Sequence, residues 1–317
     1  MTTKVSPAME RQATQKNVII NGNFDIWQRG TSQTAEGYGS DDRWKLRLAG
    51  SAVTHSRQTF TLGQTDVPNN PTYHSRNVIT SVSDPSNHVF TQQKIEGVST
   101  LAGETVTLSF WAKVDAPKNI TTEYIQQFGS GGSPSSSVIE LGVTTHALTT
   151  AWKQFTVTFT LPSISGKTLG TDGNDFLQLN FWFDAGSNFD SRTNSLGQQS
   201  GTFDIAQVQM EKGNSATEFE RRTEGEELLL CQRYYEELYV TETFESDAAT
   251  THIRSHSFAA TKRATPSITK KTQGSLILGS GITFWDGTIN TITIRETDNA
   301  DILAREDQAL FTADAEL

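Results

Sequence analysis

A single cysteine, Cys231, rules out any disulfide within the chain of 317 residues. No stretch approaches the ~20 consecutive apolar residues of a membrane helix, so no membrane insertion is expected. The opening segment MTTKVSPAMERQATQKN lacks the apolar core of a secretory signal, and assembly in a cytoplasm is the expectation. A basic surplus is missing as well. Residues 1–223 hold 18 basic and 20 acidic side chains, and residues 224–317 hold 8 and 16. Phosphate binding calls for a basic surface, so a nucleic-acid partner is not expected.

Recognisable reaction chemistry is equally sparse. The stretch GSGGSPSSS lacks the Gly-Lys-Ser/Thr of a phosphate-cradling loop and reads as a flexible connection. The six histidines, His55, His74, His88, His146, His252 and His256, form no H-E-x-x-H and no Cys/His cluster. In HIRSH, strand geometry would hold His252 and His256 about 13 Å apart, too far to share one metal ion. Neither a nucleophile elbow nor a paired-carboxylate signature is visible, and Asp41–Asp42 and Asp172–Asp175 lie near turns. A noncatalytic protein is expected.

What the sequence does have is alternation. Apolar residues are only 35% of the chain, and Gly, Ser, Thr, Asn and Gln are abundant, as suits short strands and polar loops. DRWKLRLAG, SRNVITSV, HVFTQQKIEGV, ETVTLSFWAKV, TTEYIQQFG, KQFTVTFTL, DFLQLNFWFD and GTFDIAQVQME read as strands. Their linkers are turn-forming and often longer than a hairpin needs, which favours a double-sheet jelly roll over a meander. In RTEGEELLLCQRYYEEL, Thr223 followed by Glu226 matches a helix capping box, with Leu228, Cys231 and Tyr235 able to share one face. Alternation then resumes to the end of the chain. The fold class expected is all-β: a tail over residues 1–16, a jelly-roll β-sandwich over 17–222, a linking helix over 223–238, and a second, smaller β-domain over 239–317.

Successive strand residues face opposite ways, so the aromatics can be sorted by face. In ETVTLSFWAKV, Val106, Leu108, Phe110, Ala112 and Val114 form an apolar face, which leaves Trp111 and Lys113 on the other. In FLQLNFWFD, Leu177, Leu179, Phe181 and Phe183 go inward, and Gln178, Asn180 and Trp182 go outward. Trp152 likewise shares an outward face with Gln154 and Thr156, whereas Trp44 belongs to the apolar face of its strand. Indole rings can stack on sugar C–H patches, and amides match hydroxyls as both donors and acceptors. Trp111, Trp182, Gln178, Asn180, Lys113 and Gln92 are therefore the candidate carbohydrate-binding residues. An outward tryptophan can equally lie under a loop or a neighbouring subunit.

The stretches NGNFDIWQRG, DDRW, KIEGVSTLAGETVTLSFWAKVDA, QFGSGGSPSS, LPSISGKTLGTDGNDFLQLNFWF, FDIAQVQMEKGNSATEFERR and LLLCQRYYE, in this order, resemble phage and prophage tail-fibre or virion-spike proteins that carry a carbohydrate-binding-module-like jelly roll. The resemblance covers roughly Asn17 to Glu236. It implies a noncatalytic virion protein, a tail fibre or head fibre, commonly a homotrimer, attached to other virion proteins and presented to host surface polysaccharide. In such jelly rolls an acidic residue of the last strand can hold a structural calcium ion. Here that stretch reads Ala206-Gln207-Val208, a departure from the pattern; Asp204, on the same strand face as Ala206, could substitute as the ligand or be a solvated or turn-capping aspartate, and no other cofactor is implied.

Overall fold

The alternating segments pair into antiparallel sheets in the computed structural model, which describes residues 16–246, 251–271, 282–297 and 302–317. The chain divides into two compact units between Arg222 and Thr223. The expected N-terminal tail, residues 1–16, lies almost wholly outside the described residues.

The first unit contains strands β1 (Ser32–Gln33), β2 (Trp44–Ala49), β3 (Ala52–Thr59), β4 (Tyr73–Thr80), β5 (His88–Glu96), β6 (Thr105–Val114), β7 (Lys118–Gln127), β8 (Val138–Leu148), β9 (Lys153–Thr160), β10 (Phe176–Ala185) and β11 (Gly201–Lys212). One sheet has six strands in the order β1-β3-β4-β11-β6-β9, and the other has five in the order β2-β5-β10-β7-β8. From β4 to β11 the chain repeatedly crosses between sheets, so that four strands of each form the two interleaved Greek keys of a jelly roll. β3 and β8 were not anticipated. Their sequences are polar and interrupted, and much of β8 is exposed, so the apolar alternation is faint there.

The core lies between the two sheets. Val106, Leu108 and Phe110 of β6 meet Leu179, Phe181 and Phe183 of β10, all fully buried. Phe110 and Phe181 cross edge to face with ring centroids 5.0 Å apart. Each such side chain contributes roughly 1.5–3 kcal/mol of burial. Trp44 is buried against Phe24, at 5.4 Å between centroids, as its strand face requires.

The NGNFDIWQRG and DDRW stretches close one part of this sandwich. The Asn21 side chain donates to the carbonyls of Ile26 (2.8 Å) and Asp42 (3.0 Å) and accepts from the Ile26 N–H (3.0 Å). Asp42 accepts from the Gln28 backbone and side chain. Gly22 packs so tightly on β11 that a Cβ there would lie 2.1 Å from the Val208 carbonyl oxygen. These motif residues therefore build structure.

The GSGGSPSSS loop is tied down. Ser130 accepts from Asn174 and donates to Asp172 (both 2.8 Å), and the Gly170 N–H donates to the Phe128 carbonyl (2.7 Å). It pairs with the GTDGND loop, an arrangement that local sequence cannot reveal because about forty residues separate the two. Between β10 and β11 lies a 3₁₀ turn (Ser187–Phe189) running into a short helix α1 (Asp190–Thr193), which the alternation did not indicate.

The second unit opens with helix α2 (Glu224–Gln232), N-capped by the Thr223–Glu226 capping box. It is shorter than anticipated: Tyr235 starts β12 (Tyr235–Ser246) and does not share the buried helix face of Cys231. With β13 (Thr251–Ser257), β14 (Ser267–Lys271), β15 (Ile282–Gly287), β16 (Thr291–Thr297) and β17 (Ile302–Asp314), it forms two three-stranded sheets, β12-β17-β14 and β13-β16-β15. Val240, Phe258, Ile292, Ile294 and Phe311 form their core. Trp285 is 54% exposed, with the Arg295 guanidinium 4.7 Å from its ring centroid. The His252 side chain lies outside the described residues.

Candidate functional site

Because Phe110 and Phe181 meet in the core from different sheets, the residues that follow them point away from it in opposite directions. Trp111 lies on the outer face of the six-stranded sheet, and Trp182 on that of the five-stranded sheet. The sequence-derived candidates therefore separate into two groups.

On the five-stranded face the structure brings Gln92, Gln178, Asn180 and Trp182 together, with Asn180 opposite both Gln92 and Glu123. Gln178 Nε2 donates to Asn180 Oδ1 (2.7 Å), and Asn180 Nδ2 donates to Glu123 Oε2 (2.9 Å). The Trp182 indole N–H donates to the same oxygen (3.0 Å). Arg192 of α1 completes the network with a two-pronged bond to Glu123, at 2.8 and 2.9 Å. Trp182 has no exposed surface, since Phe90, Phe189 and Leu196 pack around it and the Arg192 guanidinium lies 5.0 Å from its ring centroid. This corrects the expectation for Trp182 and Asn180: both are fully buried and bonded within the protein, and neither offers a ring face or an amide to a ligand. Gln92 and Gln178 are 4% and 7% exposed.

On the six-stranded face the corresponding tryptophan keeps part of its surface in solvent. Trp111 stands opposite Gln154 on β9 and Ala206 on β11, and β11 bulges between Ala206 and Gln209. Trp111 is partly exposed and Gln154 exposed, and the Trp111 indole N–H has no hydrogen-bond partner among the described residues. Lys113, two residues along the same face, has its ammonium 5.1 Å from the Trp152 ring centroid. Trp152 in turn packs on Phe60 (5.2 Å) and His74 (5.1 Å). The sequence placed Trp152 outward, but it could not show that Trp152 shares a face with Trp111, because strand neighbours are fixed by topology. Glu123 and Arg192 went unnoticed for the same reason.

Asp204 is not free to serve as a calcium ligand. Arg76 grips both its oxygens, Nε to Oδ1 at 2.7 Å and Nη2 to Oδ2 at 2.8 Å, and Lys113 Nζ stands 3.7 Å away. This carboxylate is 2% exposed and already lies between two cations, Arg76 and Lys113. Among the described residues no three His, Cys, Asp or Glu side chains converge on a point. The Asp204 bond raises the Arg76 pKa, while burial lowers that of His74 to about 4.

No curated protein matches the chain significantly. Among solved structures, one described as CBM4 structure and function is 19% identical, with coverage of 61% of this chain and 98% of that one and a TM-score of 0.34. The enzymatically active domain of tailspike protein 4 of bacteriophage CBA120 is 15% identical, with coverage of 62% and 21% and a TM-score of 0.36. The CBM22-2 xylan-binding domain of Paenibacillus barcinonensis Xyn10C is 15% identical, with coverage of 54% and 92% and a TM-score of 0.33. Residues 16–173 match the family model of the carbohydrate binding domain CBM_4_9, and this jelly-roll region is thus similar in sequence to a carbohydrate-binding domain.

Proposed function

We propose that the chain is a noncatalytic virion structural protein, a tail fibre or a head fibre or spike, whose jelly roll binds host surface polysaccharide through the Trp111 face. The observation that carries this reading is the partly exposed Trp111, its indole N–H unengaged, beside the exposed Gln154 amide. The part of the ring left in solvent supplies a stacking surface, and the amide supplies both a donor and an acceptor for sugar hydroxyls. The match of residues 16–173 to a carbohydrate-binding domain supports it, as does the ordered resemblance to virion appendage proteins. A single shallow face binds weakly, and a homotrimer displayed in several copies on one particle raises the effective concentration.

The rival reading is a cement or connector between virion proteins without glycan binding. It draws on the apolar side chains that the second unit leaves in solvent, Ile253, Phe284 and Trp285, at 49%, 42% and 54% exposed. Binding of wild type and Trp111→Ala to a host-glycan array separates the two. Glycan binding that Trp111→Ala abolishes is the expected result, and a folded wild type that retains no glycan supports the connector.

A further inference from the structure

The charge around Trp111 carries the reading further. On outward positions of β4, β11, β6 and β9 stand two cations, Arg76 and Lys113, and two carboxylates, Asp204 and Glu211. Arg76 and Asp204 neutralise one another through their two-pronged bond. Glu211 is buried and turned to Thr217 and Gln209, accepting from the Thr217 N–H at 2.8 Å and from Gln209 Nε2 at 3.0 Å. Lys113 is different. Its ammonium is 3.7 Å from Asp204 Oδ2, beyond hydrogen-bond distance, and it makes no hydrogen bond among the described residues, yet its side chain is only 31% exposed. An ammonium so placed is partly stripped of water, held over Trp152, and left with three unused donors. Lys113 and Trp111 stand two residues apart on one strand face, a backbone separation of about 6.8 Å that is of the order of one sugar residue.

We propose that the ligand of this face is an acidic glycan, with a carboxylate-bearing sugar bound by Lys113 while the same or the neighbouring residue stacks on Trp111. This rests on the reading of the Trp111 face as a glycan site and adds the class of sugar. A carboxylate replaces water on the half-buried ammonium, turning unused donors into charge-assisted bonds, which are roughly twice as strong as neutral ones. A neutral sugar stacks on Trp111 but leaves the ammonium partly desolvated, its one counter-ion being Asp204, 3.7 Å away and already hydrogen-bonded to Arg76.

The test uses the full chain and paired oligosaccharides, a hexuronate oligomer and the same oligomer after reduction of its carboxyl groups, with calorimetry at low and at high salt. Wild type is expected to bind the hexuronate about tenfold or more tighter than the reduced form, with the difference shrinking at high salt. Lys113→Ala is expected to erase the preference while keeping the weak neutral binding, and Lys113→Arg to keep the preference. Equal affinity for the two forms, a preference that survives Lys113→Ala, or no hexuronate binding overturns the proposal. If the reduced oligomer still binds and Trp111→Ala abolishes that binding, only the charge preference has failed. If Trp111→Ala binds both forms as wild type does, the glycan reading of this face fails with it. Urea unfolding of each variant confirms that loss of binding is not loss of fold.

Discussion

The two outer faces of the sandwich each carry a tryptophan directly after a core phenylalanine, and the two indoles have opposite surroundings. Trp182 is closed in by the excursion between β10 and β11, its N–H bonded to Glu123 and its ring bounded by Phe90, Phe189 and Arg192. Trp111 keeps part of its ring and its N–H unengaged. An outward aromatic is thus no marker of a binding site by itself. What distinguishes the faces is whether the polar groups beside the ring are already paired with one another. On the Trp182 side Gln178, Asn180 and Glu123 form a closed chain of bonds, whereas on the Trp111 side Gln154 and Lys113 retain unused donors.

The contrast is most strongly tested by removing the closed indole. Trp182→Ala is expected to cost about 4 kcal/mol in urea unfolding, the range for a fully buried aromatic truncated to alanine. A cost below about 1 kcal/mol would show that the ring is not part of the packing. Next is Glu123→Gln, which leaves Arg192 beside a neutral amide and removes an acceptor for Asn180 and Trp182. A loss of about 3 kcal/mol is expected, as for one partner of a buried pair, with α1 released to faster hydrogen exchange. No change in exchange over residues 186–200 would mean that Glu123 does not hold that segment down.

Acid tests the Trp111 face and the core together. Burial lowers His74, on the Trp111 face, and His146, bonded to Thr122 beneath the sheet, to about 4. Between pH 6.5 and 4 the unfolded chain takes up protons at these rings that the folded chain refuses, so stability falls as pH falls through that window. The limit is roughly 3 kcal/mol for each ring. His55 runs the other way. Burial lowers it, but the Asp41 carboxylate at 2.6 Å and the bond to Asn77 outweigh burial and raise it. Its contribution is present at acid pH and lost as pH rises through its folded value. Replacing His74 by Phe is expected to flatten the acid side of a urea-midpoint profile, and an unchanged slope would contradict the assignment.

Much of the fold was legible because the side-chain period of a strand is two. ETVTLSFWAKV and FLQLNFWFD revealed which residues enter the core, and Phe110, Phe181 and Phe183 do so. Period two cannot say which of two sheets a strand joins, and so Trp111 and Trp182 looked like companions although the core lies between them. Nor could alternation reveal Arg76 as the partner of Asp204, since 128 positions separate them. The candidate calcium ligand was an aspartate whose neighbour only topology supplies. Glu123 stood in TTEYIQQ as one polar residue among several, with nothing local to mark it as the anchor for Arg192.

The smallest expected effect on stability is the most informative for function. Trp111→Ala should cost clearly less in unfolding than Trp182→Ala, since its ring is partly exposed and no aromatic ring or cation among the described residues is stacked on it. The most direct measurement is a side-by-side titration of wild type, Trp111→Ala and Trp182→Phe with oligosaccharides from the host surface. The account predicts that Trp111→Ala loses at least about tenfold in affinity, roughly 1.4 kcal/mol, while Trp182→Phe binds as wild type. Unchanged affinity in Trp111→Ala, with binding lost in a folded Trp182→Phe, would place the ligand on the other face and contradict it.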